Sequence, residues 1–160
     1  MLGICGGYQM LGREIVDATG IEGPSGSHPG LGHLDVTTHM HPQKRLALTD
    51  ATYIPTGDPV RGYEIHIGHT TGPDCDRPWL QLQSRPEGAS SPNGRIRGAY
   101  LHGLFSSDRF RAAYLAELGA PSANVSYEAT VETTLDELAD HIEQHLDLNQ
   151  LLQLAQPITR

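Results

Sequence analysis

The chain has 160 residues and a mass of 17.4 kDa, room for one ordinary domain around a single hydrophobic core. Eleven Lys and Arg stand against 19 Asp and Glu, and the formal charge of −8 has the wrong sign for a protein that grips a phosphate backbone. No apolar run approaches the length of a membrane span, and Met1-Leu2-Gly3-Ile4 lacks the basic and apolar regions of a signal peptide, so a cytoplasmic protein that engages neither nucleic acid nor membrane is expected.

From Tyr8 to Asp17 the apolar residues Tyr8, Leu11 and Ile15, with Met10 and Val16, recur at helical spacing, so a short helix is predicted soon after Cys5. Gly20, Gly23, Pro24, Gly26, Pro29, Gly30 and Gly32 then break both regular elements and predict a loop. His33 to Thr38 and Val60 to Ile67 alternate as strands do, and Trp79 to Gln83 and Ile96 to Leu101 add two more. Pro86 to Gly94 reads as a turn region in which Asn93-Gly94 suits a tight hairpin. Ser107 to Leu118 is a predicted helix with Phe110, Tyr114, Leu115 and Leu118 on one face, stopped by Gly119 and Pro121. A last helix is predicted to open at Thr134, with Glu137 completing a capping box and Leu135, Leu138, Ile142 and Leu146 facing inward. Helix, strands, then two helices is an α/β or α+β pattern.

Cys5 and Cys75 are not expected to pair in a reducing compartment. Cys75 lies between Asp74 and Asp76, whose charges disfavour its thiolate, and reads as an inert loop thiol. His28, His33, His39 and His41 do not follow zinc-ligand spacing and read as polar loop residues, so no metal site is expected.

The chemically loaded segment is Gly3-Ile4-Cys5-Gly6-Gly7-Tyr8-Gln9. A cysteine between a strand end and a helix start, set among glycines, suits a nucleophile elbow where only small neighbours avoid clashes. The dipole of the following helix favours a thiolate there, and the N–H of Gly6 is placed to donate to an oxyanion. The same pattern suits an inert cysteine in a helix-capping loop. A nucleophilic cysteine needs a base, and His102 ends a predicted strand just before Gly103. A strand-end histidine also serves as a satisfied core residue.

Gly3-x-Cys5-x-Gly7-x-Gln9 resembles the nucleophile motif of class I glutamine amidotransferases, and the string from Gly3 to Gly12 is similar to the version in the cobyric acid synthase branch. Val60-Arg61-Gly62-Tyr63-Glu64-Ile65-His66-Ile67-Gly68-His69-Thr70 and Gly98-Ala99-Tyr100-Leu101-His102-Gly103-Leu104-Phe105 resemble the other two marked segments of that branch's amidotransferase domain, in the same order. Gly30 to Val36, with Lys44-Arg45 downstream, is similar as well. The resemblance covers residues 1 to about 118, and 119–160 reads as a C-terminal helical extension.

The resemblance implies an α/β fold, the flavodoxin-like three-layer sandwich of class I amidotransferases, here without its N-terminal strands. It implies that Cys5 attacks the side-chain amide of glutamine, with His102 as base and then acid, Gly6 as oxyanion donor and Gln9 as a contact to bound glutamine. Ammonia then passes to a synthetase domain, in cis or in trans, that activates corrinoid carboxylates with ATP and magnesium in cobalamin biosynthesis. No cofactor is expected on this segment itself.

Two departures stand out. Most of the family orients its histidine with a glutamate two residues on, where this chain has Leu104, so a Cys–His dyad is expected, as in the cobyric acid synthase branch. Glu64 or a backbone carbonyl is the candidate orienter, while Glu64 and His66 also read as a solvent-facing pair on an amphipathic strand. Only four residues precede Cys5, whereas the family places several strands and a Gly-rich loop there. That loop supplies a second oxyanion N–H, whose loss costs on the order of 3 kcal/mol. With no phosphate-binding loop in the chain either, a piece of a longer enzyme, impaired by itself, is expected. The alternatives are a non-catalytic remnant that docks on a synthetase, or a related amidotransferase of the cobyrinic acid a,c-diamide synthase or lipid II amidating type.

Overall fold

A computed structural model of the chain describes residues 1–121 and 125–155, and two compact units divide between residues 123 and 124. In the first unit the chain runs β1 (Leu2–Ile4), α1 (Gly6–Leu11), β2 (Glu14–Asp17), β3 (Gly26–Pro29), β4 (Thr37–Tyr53) and β5 (Asp58–Thr71). There follow β6 (Leu80–Leu82), β7 (Pro86–Glu87), β8 (Ala89–Ser90), β9 (Arg97–Ala99), β10 (Leu101–His102) and α2 (Asp108–Glu117). The second unit holds α3 (Tyr127–His145) and α4 (Leu148–Leu154).

Two mixed sheets form with helices, an α/β fold. The smaller has the order β1-β9-β8, with β1 and β9 parallel and Gly3 opposite Gly98. The larger has the order β10-β5-β4-β2-β3, with β6 also paired to β4 and β7 paired to β6. Its spine is the β4–β5 hairpin, whose register slips between His39 and Lys44. One core cluster gathers Tyr53, Val60, Trp79, Leu80, Leu101, Leu104 and Phe110, and a second gathers Tyr8, Leu11, Leu34, Val36, Ala89 and Tyr100. Phe110 is fully buried and alone contributes roughly 2–3 kcal/mol.

The predicted helix from Tyr8 to Asp17 ends at Leu11 instead. A Cβ on Gly12 would sit 2.8 Å from the Val36 carbonyl oxygen, so the chain passes too close there for a larger residue. Beyond it, β-branched Ile15 and Val16 join a strand parallel to β4, opposite Thr38 and His39. The predicted loop contains β3, an exposed strand paired to β2. The strand predicted from His33 to Thr38 is displaced: Leu34 and Val36 are core residues before β4 begins, and β4 then runs to Tyr53. The strand predicted at Ile96 to Leu101 divides, β9 staying with β1 while β10 crosses to β5.

The helix at Ser107 to Leu118 forms as α2, with Gly119 at φ 71 closing it, although Leu118 is exposed. The last helix starts well before Thr134. Ser126 caps α3 by accepting from the Ala129 N–H at 3.4 Å, and Thr134 lies inside it, donating to the Thr130 carbonyl at 2.8 Å. Leu135, Leu138, Ile142 and Leu146 do not face inward: all four are exposed, and α3 has no buried residue.

Candidate active site

Cys5 joins β1 to α1 with φ 55 and ψ −118, and among the described residues no other non-glycine has a positive φ. Such a conformation costs about 1–3 kcal/mol and persists only where its surroundings fix it. Here the Cys5 N–H donates to the Ala99 carbonyl at 2.9 Å, and the Cys5 carbonyl accepts from the Gln9 N–H at 3.1 Å. A Cβ on Gly3 would lie 2.6 Å from Leu11 Cδ1 and 2.7 Å from the Gly7 backbone, so the elbow needs a glycine before the cysteine. After it the expectation of crowding fails: a Cβ on Gly6 or Gly7 meets nothing within 4 Å. Gly6 is the first residue of α1, where a backbone N–H has no intrahelical acceptor.

Cys5 and His102 each adjoin β5, reached from different sheets. β1 and β9 run parallel, so Cys5 emerges at the same sheet end as Ala99, and His102 follows three residues later on β10. On β10, His102 pairs with Tyr63 of β5. The Cys5 thiol donates to the carbonyl of Ile65, two residues along the same strand, at 3.2 Å. The imidazole of His102 lies flat on the Tyr63 ring, with centroids 5.1 Å apart and planes 7° apart, and its Nε2 is buried without a hydrogen-bond partner. Thiol and imidazole are not hydrogen-bonded to each other.

Gln9 sits one helical turn after Cys5, and its amide donates to the Ile67 carbonyl at 3.0 Å and the Tyr100 hydroxyl at 3.3 Å. Cys5 and Gln9 thus grip alternate carbonyls along one edge of β5, which fixes α1 against that strand.

Glu64 does not reach His102. Its register partner is Leu101, so its side chain stands on the opposite face of the sheet from His102 and Tyr63. Glu64 is fully buried, with Arg45 Nε at 2.7 Å from Oε2 and Arg85 bonded to Oε1. The expectation of a solvent-facing Glu64 and His66 fails for the same reason: β5 is covered on that face. Arg85 also pairs with Glu87, whose carboxylate accepts the Tyr100 N–H at 2.8 Å. Glu64→Ala removes the anion that neutralises two half-exposed guanidiniums, and a loss of about 2–3 kcal/mol is expected in chemical denaturation.

His66 stacks on Tyr100 at 3.9 Å, and its Nδ1 lies 3.2 Å from the Gly68 carbonyl, which fixes the proton on Nδ1 and leaves the buried Nε2 bare. Burial holds the His66 imidazole below its ordinary value of 6.5, against the opposing pull of Gly68 and Glu64. The unfolded chain therefore binds more protons as pH falls below about 6.5. Stability from this group is complete above that value and declines beneath it, so His66→Phe is expected to flatten the fall in melting temperature between about pH 7 and about pH 5.5.

Arg45, His66, Arg85, Glu87 and Tyr100 line a cavity of about 360 Å³ that also meets Tyr8, Cys75 and Thr70. Cys75 is a partly buried free thiol near the Tyr8 hydroxyl, and burial, more than the flanking carboxylates, pushes it up. His28, His33, His39 and His41 are exposed, the first on β3 and the last two on β4. Sequence reasoning missed Tyr63, Ile65, Arg85 and Tyr100. Only the alternation of β5 hinted that Tyr63 and Glu64 face opposite ways.

A cysteine on a strained strand-to-helix elbow, with a histidine on the strand that follows its parallel neighbour β9, suits enzymes that cleave amides through a thiol nucleophile. Residues 1–110 match the CobB/CobQ-like glutamine amidotransferase domain, and the chain belongs to that family. Over 155 residues it is 59% identical to a cobyric acid synthase of Cereibacter sphaeroides and 56% identical to one of Bradyrhizobium diazoefficiens, each alignment covering 97% of this chain and 32% of the relative. A cobyric acid synthase of Ruegeria sp. is 56% identical over 158 residues, covering 99% of this chain and 33% of the relative. The chain therefore spans about a third of the length of these relatives and aligns with an amidotransferase portion of them. No described helix is long and apolar enough to cross a membrane.

Proposed function

We propose that Cys5 and His102 hydrolyse glutamine to glutamate and supply the ammonia for amidation of corrinoid carboxylates. The carrying observation is the elbow: a strained Cys5 whose thiol meets β5 at Ile65, two residues from the Tyr63 on which His102 is stacked. In the first half-reaction His102 takes the thiol proton, and sulfur attacks the side-chain carbonyl carbon of glutamine. The oxyanion is met by the N–H of Gly6. The imidazolium then returns its proton to the leaving nitrogen, and ammonia departs from the thioester. In the second half-reaction His102 deprotonates water, which attacks the thioester and restores the thiol while glutamate leaves. Gln9, held between Ile67 and Tyr100, keeps α1 in place.

The corrinoid acceptor follows from the relatives' name, cobyric acid synthase. Activation of its carboxylates by ATP and magnesium belongs to a synthetase part, in cis or in trans. The reading is tested in a full-length protein carrying this segment, by supplying nitrogen to Cys5→Ala as glutamine or as ammonium. Equal loss with both sources overturns it. An unchanged glutamine-fed rate leaves this segment a docking remnant.

A further inference from the structure

The pairing of Cys5 with His102 leaves one requirement open. An imidazole that takes a proton from a thiol must keep its ring plane fixed, and a carboxylate on the second nitrogen is the usual device. The residue two positions after His102 is Leu104, an apolar side chain buried in the core. Glu64 is on the other face of β5 and is held by Arg45 and Arg85. Against His102 the structure places the face of Tyr63, parallel to within 7°. The two residues are register partners on β10 and β5, so the stack is built into the sheet. Gly103, at φ 79, turns the chain directly behind His102, and a Cβ there would lie 3.8 Å from the Tyr63 ring.

We infer that Tyr63 is the positioning residue of His102, replacing an orienting carboxylate by an aromatic face. This rests on the Cys5–His102 reading given above. The stack restricts rotation of the imidazole about its terminal side-chain bond, so that the unpartnered Nε2 keeps its buried position. The same ring face favours the imidazolium that forms once the thiol proton has moved, through its negative quadrupole. A hydroxyl is not needed for either effect, whereas the flat π-face is.

The test is the rate at which iodoacetamide alkylates Cys5 in the 160-residue chain at neutral pH, read peptide by peptide so that Cys75 is scored separately. Tyr63→Phe is expected to stay within about twofold of the parent, and Tyr63→Leu, which fills space without a π-face, to be slower by about three- to tenfold. Tyr63 is 39% exposed, so both variants are expected to melt with the parent, which separates positioning from folding. A Tyr63→Leu rate equal to the parent overturns the inference, as does a Tyr63→Phe rate as low as that of Tyr63→Leu. His102→Ala sets the scale. If it alkylates as fast as the parent, the Cys–His pairing fails and takes this inference with it; if it is slow while Tyr63→Leu is fast, the role of Tyr63 alone fails.

Discussion

Replacing Cys5 by alanine is expected to lower glutamine-dependent turnover by at least on the order of a thousandfold, while ammonium-dependent amidation by the full-length protein stays near its original rate. The thiol is the only group in the proposed chemistry that forms a bond to the substrate, so no neighbour substitutes for it. An activated acceptor that takes free ammonia has no use for the thiol. The comparison is made by measuring amidated product under saturating glutamine and then under saturating ammonium. The fold is expected to survive, because alanine at φ 55 meets the same backbone strain as cysteine. Cys5→Gly separates strain from chemistry. It is equally inactive, but glycine tolerates the left-handed conformation, so its melting temperature is expected to be no lower than that of Cys5→Ala. A Cys5→Gly protein that melts well below Cys5→Ala would show that the elbow stores no strain.

The second large effect concerns Gly98, which sits beneath the elbow on β9. A Cβ there would lie 2.0 Å from Cδ2 of Tyr8 and 2.7 Å from two further ring atoms. Tyr8 is 3% exposed and packs edge-on against Tyr100 at 5.1 Å, so it has nowhere to retreat. The Gly98 carbonyl also accepts the buried Trp79 indole N–H at 2.8 Å, which resists a shift of β9. Gly98→Ala is therefore expected to destabilise by about 3 kcal/mol, lowering the melting temperature by roughly 6–12 °C. Because Tyr8 belongs to α1, the displaced ring also unseats the helix that follows Cys5. Gly6→Ala is the matched control: its Cβ enters open space, and its melting temperature is expected to stay within a degree or two of the parent. Thermal melts of the two variants side by side decide it, and a Gly98→Ala protein that melts with Gly6→Ala would disprove the close contact.

What could be read along the chain followed from local chemistry. The glycine-flanked Cys5, the helix stop at Gly119 and the hairpin turn at Asn93-Gly94 each depend on a few adjacent residues. A hairpin forms with Ala89 opposite Gly98, and the Asn93 side chain accepts the Arg95 N–H at 3.0 Å, but it is wider than expected: β8 ends at Ser90 and β9 begins at Arg97, and the predicted turn region itself holds β7 and β8. His102 was equally visible as a strand-end histidine. Errors arose where a distant partner outweighed local pattern. Ile15 and Val16 kept helical spacing but lay within reach of β4, and the open edge of a long hairpin recruited them. Thr134 and Glu137 carried the signature of a helix start, yet the helix had already begun at Tyr127, because Ser126 supplied an earlier cap.

The role of Glu64 shows the division most clearly. By itself the sequence showed a glycine-flanked cysteine and a strand-end histidine, with Leu104 two residues after the histidine. It also put a carboxylate at position 64. Which way that carboxylate points depends on the parity of a strand pairing, and one residue of register sends a side chain to the other face of a sheet. Only the tertiary structure paired His102 with Tyr63 and Leu101 with Glu64. That single register commits Glu64 to Arg45 and Arg85 and gives His102 an aromatic face in its place.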